Sequence, residues 1–268
     1  MGGAHRAPGG ASGRGLGVGR SRRPLSAAAA IVAERPATAR AIAIQGARRG
    51  TPEYPAALLD LRDPPANVYV RGAAVPAPGR CVAIVGSRAA SPYGSAMATR
   101  LARDLAGLGL TIVSGLARGI DAAAHRGALA AGGRTIAVVP SGLDRVTPPS
   151  HDPLADEVVR AGTLLSEIAS GPPFGRGAFV RRNRLIAALA AVTVVVEASE
   201  RSGALVTAAV ARELGRNLAA VPGDVDRPTV RGVLELLRSG ARVCADAGDV
   251  LALLPAVPAR EDAGDAAP

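Results

Sequence analysis

With 268 residues, 48% of them hydrophobic, the chain has enough apolar surface for one full α/β core but not for two large domains. No apolar run approaches the roughly 20 residues of a helical membrane span, and Cys81, Cys244, His5, His125 and His151 fall in no metal-ligand spacing, so neither a membrane anchor nor a metal centre is expected. The formal charge of +10 sits mainly at one end: residues 1–50 hold nine Arg against one acid, +8, whereas residues 51–268 hold 23 Arg against 21 acids, +2, so any basic site in the folded part must be local.

Residues 1–50 are rich in Gly, Ala, Arg and Pro without a sustained period, and read as a disordered or mis-assigned basic leader. The stretch Ser21-Arg22-Arg23-Pro24 faintly resembles a twin-arginine export signal. Its apolar run is short and ends at Glu34-Arg35-Pro36, and a cytoplasmic location is expected instead. The folded domain is placed at 51–254 and a flexible tail at 255–268.

From residue 81 short Val- and Ile-rich runs alternate with amphipathic, Ala-rich segments. Cys81–Val85 reads as a strand; Ser91-Pro92 then supplies an N-cap and a first-turn proline for a helix that fades at Gly107 and Gly109. Strands follow at Leu110–Val113, Thr135–Val139, Thr163–Leu165, Val192–Val196, Asn217–Val221 and Ala241–Cys244. Helices are expected between them at Gly119–Ala131, Pro153–Ala161, Asn183–Ala190, Leu205–Leu214 and Val230–Arg238. Continuously apolar strands spaced by one helix each predict an α/β, doubly wound, mostly parallel sheet of Rossmann type with helices on both faces. Ligands of such sheets sit beyond the carboxyl ends of the strands, in the loops that lead to helix N-termini.

Four of those loops carry glycine and serine: Gly86-Ser87-Arg88, Ser114-Gly115-Leu116-Ala117-Arg118-Gly119, Ser141-Gly142 and Ser202-Gly203. Glycine lets a backbone approach an oxyanion, serine adds a hydroxyl donor, helix N-termini offer free N–H groups, and Arg88 brings charge. Any one of them is an ordinary tight turn, but four on one sheet edge predict a phosphate site. The run after the first strand is not G-x-G-x-x-G, and a chain without lysine has no P-loop, which disfavours nicotinamide redox chemistry and P-loop hydrolysis. The most basic window of the core holds Arg176, Arg181, Arg182 and Arg184 around Asn183, with no acid from Ile168 to Val196. Phe179, one of five aromatics, stands inside it. Arginine forks grip phosphate and an aromatic face stacks a base, so this window is a candidate single-strand contact. The alternative reading is a core anchor beside solvated arginines. Asp121 and His125, four apart on a helix, are placed within reach of each other; without a nucleophile elbow they read as structural polar groups rather than an acid/base pair.

Taken in order, Tyr54-Pro55, Asp63-Pro64-Pro65, Arg71-Gly72, Val85-Gly86-Ser87-Arg88, Ser114-Gly115-Leu116-Ala117 with Gly119-Ile120-Asp121 and His125, Arg182-Asn183-Arg184, Glu197-Ala198, Ser202-Gly203, Thr207-Ala208 and Pro222-Gly223 resemble the DNA-processing protein A (DprA/Smf) family from about Tyr54 to Leu254. The resemblance implies a Rossmann-like core that binds single-stranded DNA in a basic pocket, dimerises and helps load the RecA recombinase in natural transformation. It implies neither a cofactor nor bond-making chemistry. By position it implies that Gly86, Ser87 and Arg88 bind phosphate and that a loop from Phe179 to Arg184 lines the pocket. The chain departs from the family at Thr147-Pro148, His151, Phe179-Val180 and Gly232-Val233-Leu234, and it has no room for the helical and winged-helix domains that often flank the core. Two other readings share the same loops: a nucleotide phosphoribohydrolase of the lysine-decarboxylase-like (LOG) group, whose Pro-Gly-Gly-x-Gly-Thr-x-x-Glu run is missing, and a mononucleotide sensor.

Overall fold

The computed structural model describes Gly2, residues 42–173, 175 and 177–255. Most of residues 1–50, read from sequence as a basic leader, Arg176, and residues 256–268, read as a tail, lie outside the described residues. Among the described residues nine strands form one sheet: β1 (Ile44–Arg48), β2 (Asn67–Gly72), β3 (Cys81–Val85), β4 (Thr111–Ser114), β5 (Thr135–Val138), β6 (Thr163–Ser166), β7 (Val192–Val195), β8 (Asn217–Ala220) and β9 (Arg242–Val243). Their order is β1-β2-β6-β5-β4-β3-β7-β8-β9. From β6 to β9 every pairing is parallel, whereas β1 pairs antiparallel with β2 and β2 antiparallel with β6.

The strands connect through α1 (Pro92–Gly107), α2 (Ile120–Ala130), α3 (Asp152–Ala161), α4 (Ala178–Ala188), α5 (Gly203–Glu213) and α6 (Arg231–Arg238), and α7 (Ala247–Leu251) follows β9. Because side chains alternate across a strand, β3 serves two cores. Cys81, Ala83 and Val85 face a layer that includes Leu185, Ile186, Ala208 and Val233 of α4, α5 and α6. Val82 and Ile84 face Leu101, Leu105, Ala124 and Val250 of α1, α2 and α7. Leu154, Val158 and Val159 of α3 pack with Ala137, Val139 and Leu164 beside α2. No helix among the described residues is long and apolar enough to cross a membrane.

The parallel core matches the predicted strands to within a residue or two, and three differences have physical causes. Ile44–Arg48, read as leader, is an edge strand; only Ala47 of its five residues is buried, so no apolar alternation marks it. Helix α4 starts at Ala178, five residues before the expected Asn183, behind Gly177, which makes no side-chain cap. An aromatic and a β-branched residue in its first turn, Phe179-Val180, disguise the helix as a loop. Helix α7 was missed although Asp246 and Asp249 form a reciprocal capping box, a three-residue spacing that the sequence displays.

Candidate nucleic-acid interface

Strand order reverses between β3 and β7, and the chain leaves their carboxyl ends in opposite directions to α1 and to α5. Such a switch point opens a crevice. Here the crevice is a cavity of about 540 Å³. Its walls are the loop Gly86-Ser87-Arg88-Ala89 after β3, Ser199 with Ser202-Gly203-Ala204 at the start of α5, and Phe179, Asn183 and Ile186 on one face of α4. Positions 179, 183 and 186 recur at helical spacing, so a single face of α4 supplies all three.

The first turns of the two flanking helices are used differently. Glu197, buried after β7, accepts hydrogen bonds from the Ser91 amide (2.9 Å) and hydroxyl (2.5 Å), which places its carboxylate at the start of α1. That helix end therefore already holds an anion of the protein's own. A Cβ on Gly94 would lie 2.5 Å from this carboxyl group, which explains glycine in the first turn of α1. At α5, Ser202 caps through the Ala204 amide (3.3 Å), and Ser202, Gly203 and Ala204 all border the cavity. Asn183 reaches across from α4 and donates to the Gly203 carbonyl (3.0 Å), tying the two walls together.

Arg88 is exposed, and its guanidinium lies 4.6 Å from the centroid of the half-buried Phe179 ring, a cation–π contact across the cavity mouth. The charge and the aromatic that the sequence suggested for one ligand are thus neighbours.

The remaining arginines of the α4 window separate. Arg182 is 4% exposed; its guanidinium donates to the carbonyls of Gly115 (2.5 Å) and Val138 and, through Nε, to Asn183 (3.1 Å). Read from sequence as a phosphate grip, Arg182 instead braces the ends of β4 and β5 from the cavity floor. Burial lowers its pKa to about 10, an effect opposed by the nearby Asp121 carboxylate. Arg184 pairs with Glu167 at 2.6 Å and lines no part of the cavity. Exposed Arg181 borders a separate hollow beside Glu167. Arg118 stands at the rim of a neighbouring cavity that shares Arg88, Ala89, Ala117 and Phe179 with the first.

Ser114 and Gly115 also stand away from the cavity. Ser114 is fully buried, with its hydroxyl 2.7 Å from the Ile84 carbonyl, and a Cβ on Gly115 would meet the Arg182 guanidinium at 2.5 Å. Gly119 (φ +74°) sits so close to the first loop that a Cβ would lie 2.3 Å from the Ser87 carbonyl. At Gly86, likewise, the space is filled by Ile120 and the Glu197 backbone. Gly86, Gly115 and Gly119, which the sequence offered for oxyanion approach, serve first to let neighbouring loops and side chains pack closely. Gly142, too, packs on Ser170, and Ser141 is buried. Ser199 and Thr207 belong to the cavity but were not anticipated, because neither stands beside a glycine or an arginine cluster.

Asp121 and His125 do not form a pair. Asp121, on the cavity floor, accepts from the Ala117 amide (3.3 Å); burial raises its pKa, against the opposing charge of Arg182. His125 lies fully buried with Nδ1 2.7 Å from the Thr135 hydroxyl, which itself donates to the Ile112 carbonyl (2.8 Å). The single hydroxyl hydrogen is thereby used, so Nδ1 carries the imidazole proton and Nε2 is a bare acceptor with no protein partner. Protonation would place an unpaired N–H in the core; burial, with Arg182 and His151 nearby, depresses the pKa to about 3. A group depressed in the fold contributes stability that is complete above its ordinary value of 6.5 and lost as pH falls from there toward 3. His125→Asn keeps a donor toward Thr135 and is expected to remove about 2 kcal/mol of the stability difference between pH 7 and pH 5. Urea midpoints of both proteins at the two pH values check this; equal acid sensitivity would show that His125 is not the group responsible.

Residues 45–255 match the family profile of DNA recombination-mediator protein A. The Smf protein of Synechocystis is 39% identical over 213 residues, covering 77% of this chain and 53% of that protein. The crystal structure of DNA processing protein A from Streptococcus pneumoniae superposes with a TM-score of 0.74 at 35% identity, covering 81% of this chain and 76% of the other. The structure of DNA processing protein A from Helicobacter pylori, described for its single-stranded DNA binding mode, gives 0.69 at 30% identity, covering 79% of this chain and 95% of the other. The chain spans about half the length of curated relatives such as the Synechocystis protein. A profile match over most of the residues, with relatives of this identity and the same fold, establishes that the chain belongs to the DNA recombination-mediator protein A (DprA/Smf) family.

Proposed function

We propose that this chain holds single-stranded DNA at the β3–β7 crevice and presents it to a RecA-type recombinase, acting as a dimer and without bond-making chemistry. The observation that carries the reading is the composition of the cavity wall: the Ser87-Arg88 loop and the start of α5 supply charge and backbone donors for phosphate, while Phe179 supplies a ring beside them. The relative from Helicobacter pylori, whose structure was described for this kind of binding, supports it.

Arg88→Ala should weaken binding to every sequence alike, by about 1–3 kcal/mol for one charge-assisted contact. The salt slope should fall by about 0.7, the value for one phosphate on a single strand. Phe179→Ala should lower affinity by a similar amount and leave the slope nearly unchanged, since stacking depends little on ionic strength. Phe179→Tyr keeps the ring and should be close to neutral. Fluorescence anisotropy titrations at two salt concentrations, paired with melting curves, separate these effects. Normal affinity of folded Phe179→Ala protein, with strongly reduced stability, would make the ring a core anchor and remove it from the site.

A further inference from the structure

In the loop between β4 and α2, Leu116 has φ +58°, and it is the one non-glycine residue with positive φ among the described residues. A residue with a Cβ is disfavoured in this left-handed region and persists there only where its surroundings hold it. Two groups hold Leu116. Its side chain is fully buried in one cluster with Leu143, Val146 and Leu154. Its carbonyl accepts a hydrogen bond, 2.8 Å long, from Nδ1 of the buried His151, 35 positions away in the turn that leads into α3. A carbonyl only accepts, so Nδ1 carries the imidazole proton.

The neighbouring peptides are tied as well, the Gly115 carbonyl by Arg182 (2.5 Å) and the Ala117 amide by Asp121 (3.3 Å). The residues that follow Leu116 are the ones that reach the candidate site. Ala117 lines the crevice cavity, and the exposed Arg118 stands at the rim beside it. Without the His151 donor the buried Leu116 carbonyl would be left unpaired, and the backbone could release its strain by turning toward the right-handed region. Arg118, two residues on, would move with it.

We propose that His151 is a positioning residue for the single-stranded DNA site: its Nδ1–H locks Leu116 in the left-handed conformation and thereby aims Arg118 at a phosphate of the strand in the crevice. The inference rests on the proposed crevice site and adds a phosphate contact governed by a residue that lines neither the crevice cavity nor its neighbour. Fixing the backbone before the ligand arrives favours such a contact, because a long arginine side chain on a rigid loop loses less freedom on binding than one on a loose loop.

The test uses the full chain and a thymidine oligonucleotide, titrated at two salt concentrations, with melting curves to give the folded fraction of each variant. Arg118→Ala is expected to bind about tenfold more weakly, the loss of one charge-assisted contact, with a salt slope lower by about 0.7. His151→Leu should show the same loss and the same fall in slope. His151→Asn keeps an N–H where Nδ1 stood and should restore the affinity, whereas His151→Gln carries its donor at the place of Nε2 and should behave like His151→Leu. Arg118→Ala combined with His151→Leu should bind no more weakly than either alone, because the two act through one contact. Additive losses, unchanged affinity of folded His151→Leu protein or of Arg118→Ala, or equal loss in the Asn and Gln variants would each overturn the proposal while leaving the crevice site standing. If Arg88→Ala and Phe179→Ala also bound as the unaltered chain does, the crevice reading would fall with it. Should His151→Leu not fold, the contrast between the Asn and Gln variants decides.

Discussion

Replacing Arg182 with methionine is expected to destabilise the fold by about 3–5 kcal/mol, the usual consequence of removing one member of a buried, hydrogen-bonded charge arrangement. Methionine fills much of the volume, so the loss is electrostatic and not a cavity effect. The carbonyls of Gly115 and Val138 lose a donor, and Asp121 keeps its buried carboxyl without the cation that offsets its burial. Lysine should recover little, because one ammonium does not reproduce the fork that spans two strand ends and Asn183. Adding Asp121→Asn to the methionine variant should recover part of the loss, since the uncompensated carboxylate goes with it. Urea unfolding of the three variants measures the effect. A methionine variant of normal stability that had lost only DNA affinity would return Arg182 to the role of direct phosphate ligand.

The second large effect is expected from Gly119→Ala. At φ +74° and ψ −124° the residue occupies backbone space open essentially to glycine alone, and its Cβ would strike the Ser87 carbonyl and the Arg88 backbone. Strain and clash together should remove on the order of 3 kcal/mol of stability. Because the displaced atoms belong to the Ser87-Arg88 loop, oligonucleotide affinity of the folded fraction should fall with it. Gly203→Ala is the control. Its Cβ would meet only the Asn183 amide, at 3.6 Å, so stability should stay within a few tenths of a kcal/mol although Gly203 lines the same cavity. Similar losses in the two variants would mean that the loops tolerate no added carbon anywhere, and that the contact at Ser87 is not special.

These contrasts mark how far the sequence was legible. Strands β3 to β7 could be read because every one of their residues is buried, leaving short runs rich in apolar residues, and Ser91-Pro92 announces α1 without reference to tertiary structure. Edge strand β1 and its neighbour β2 could not, since each has a single fully buried residue and so carries no period. The loops of the site were recognisable as a set, yet Gly119 and Gly203 look alike in sequence. Only the approach of a neighbouring loop distinguishes a glycine under compulsion from one in open space. The arginines of α4 show the same limit. Residues 181, 182 and 184 are one basic window in the chain, but 100° per residue turns them toward solvent, toward the buried strand ends and toward Glu167. Glu197 is the converse case, an acid whose value as a cap for α1 depends on a residue 106 positions away.

The central claim, that single-stranded DNA lies in the β3–β7 crevice, is tested most directly by ultraviolet crosslinking of a thymidine oligonucleotide to the full chain, with the attached peptides mapped by mass spectrometry. The measurement belongs at moderate salt, where non-specific attraction to residues 1–50, which carry +8, is screened. Crosslinks are expected on the peptides that carry Ser87-Arg88 and Phe179, and they should disappear from the latter in Phe179→Ala. Crosslinks confined to residues 1–50, or to the surfaces of α3 and α6, would contradict the account.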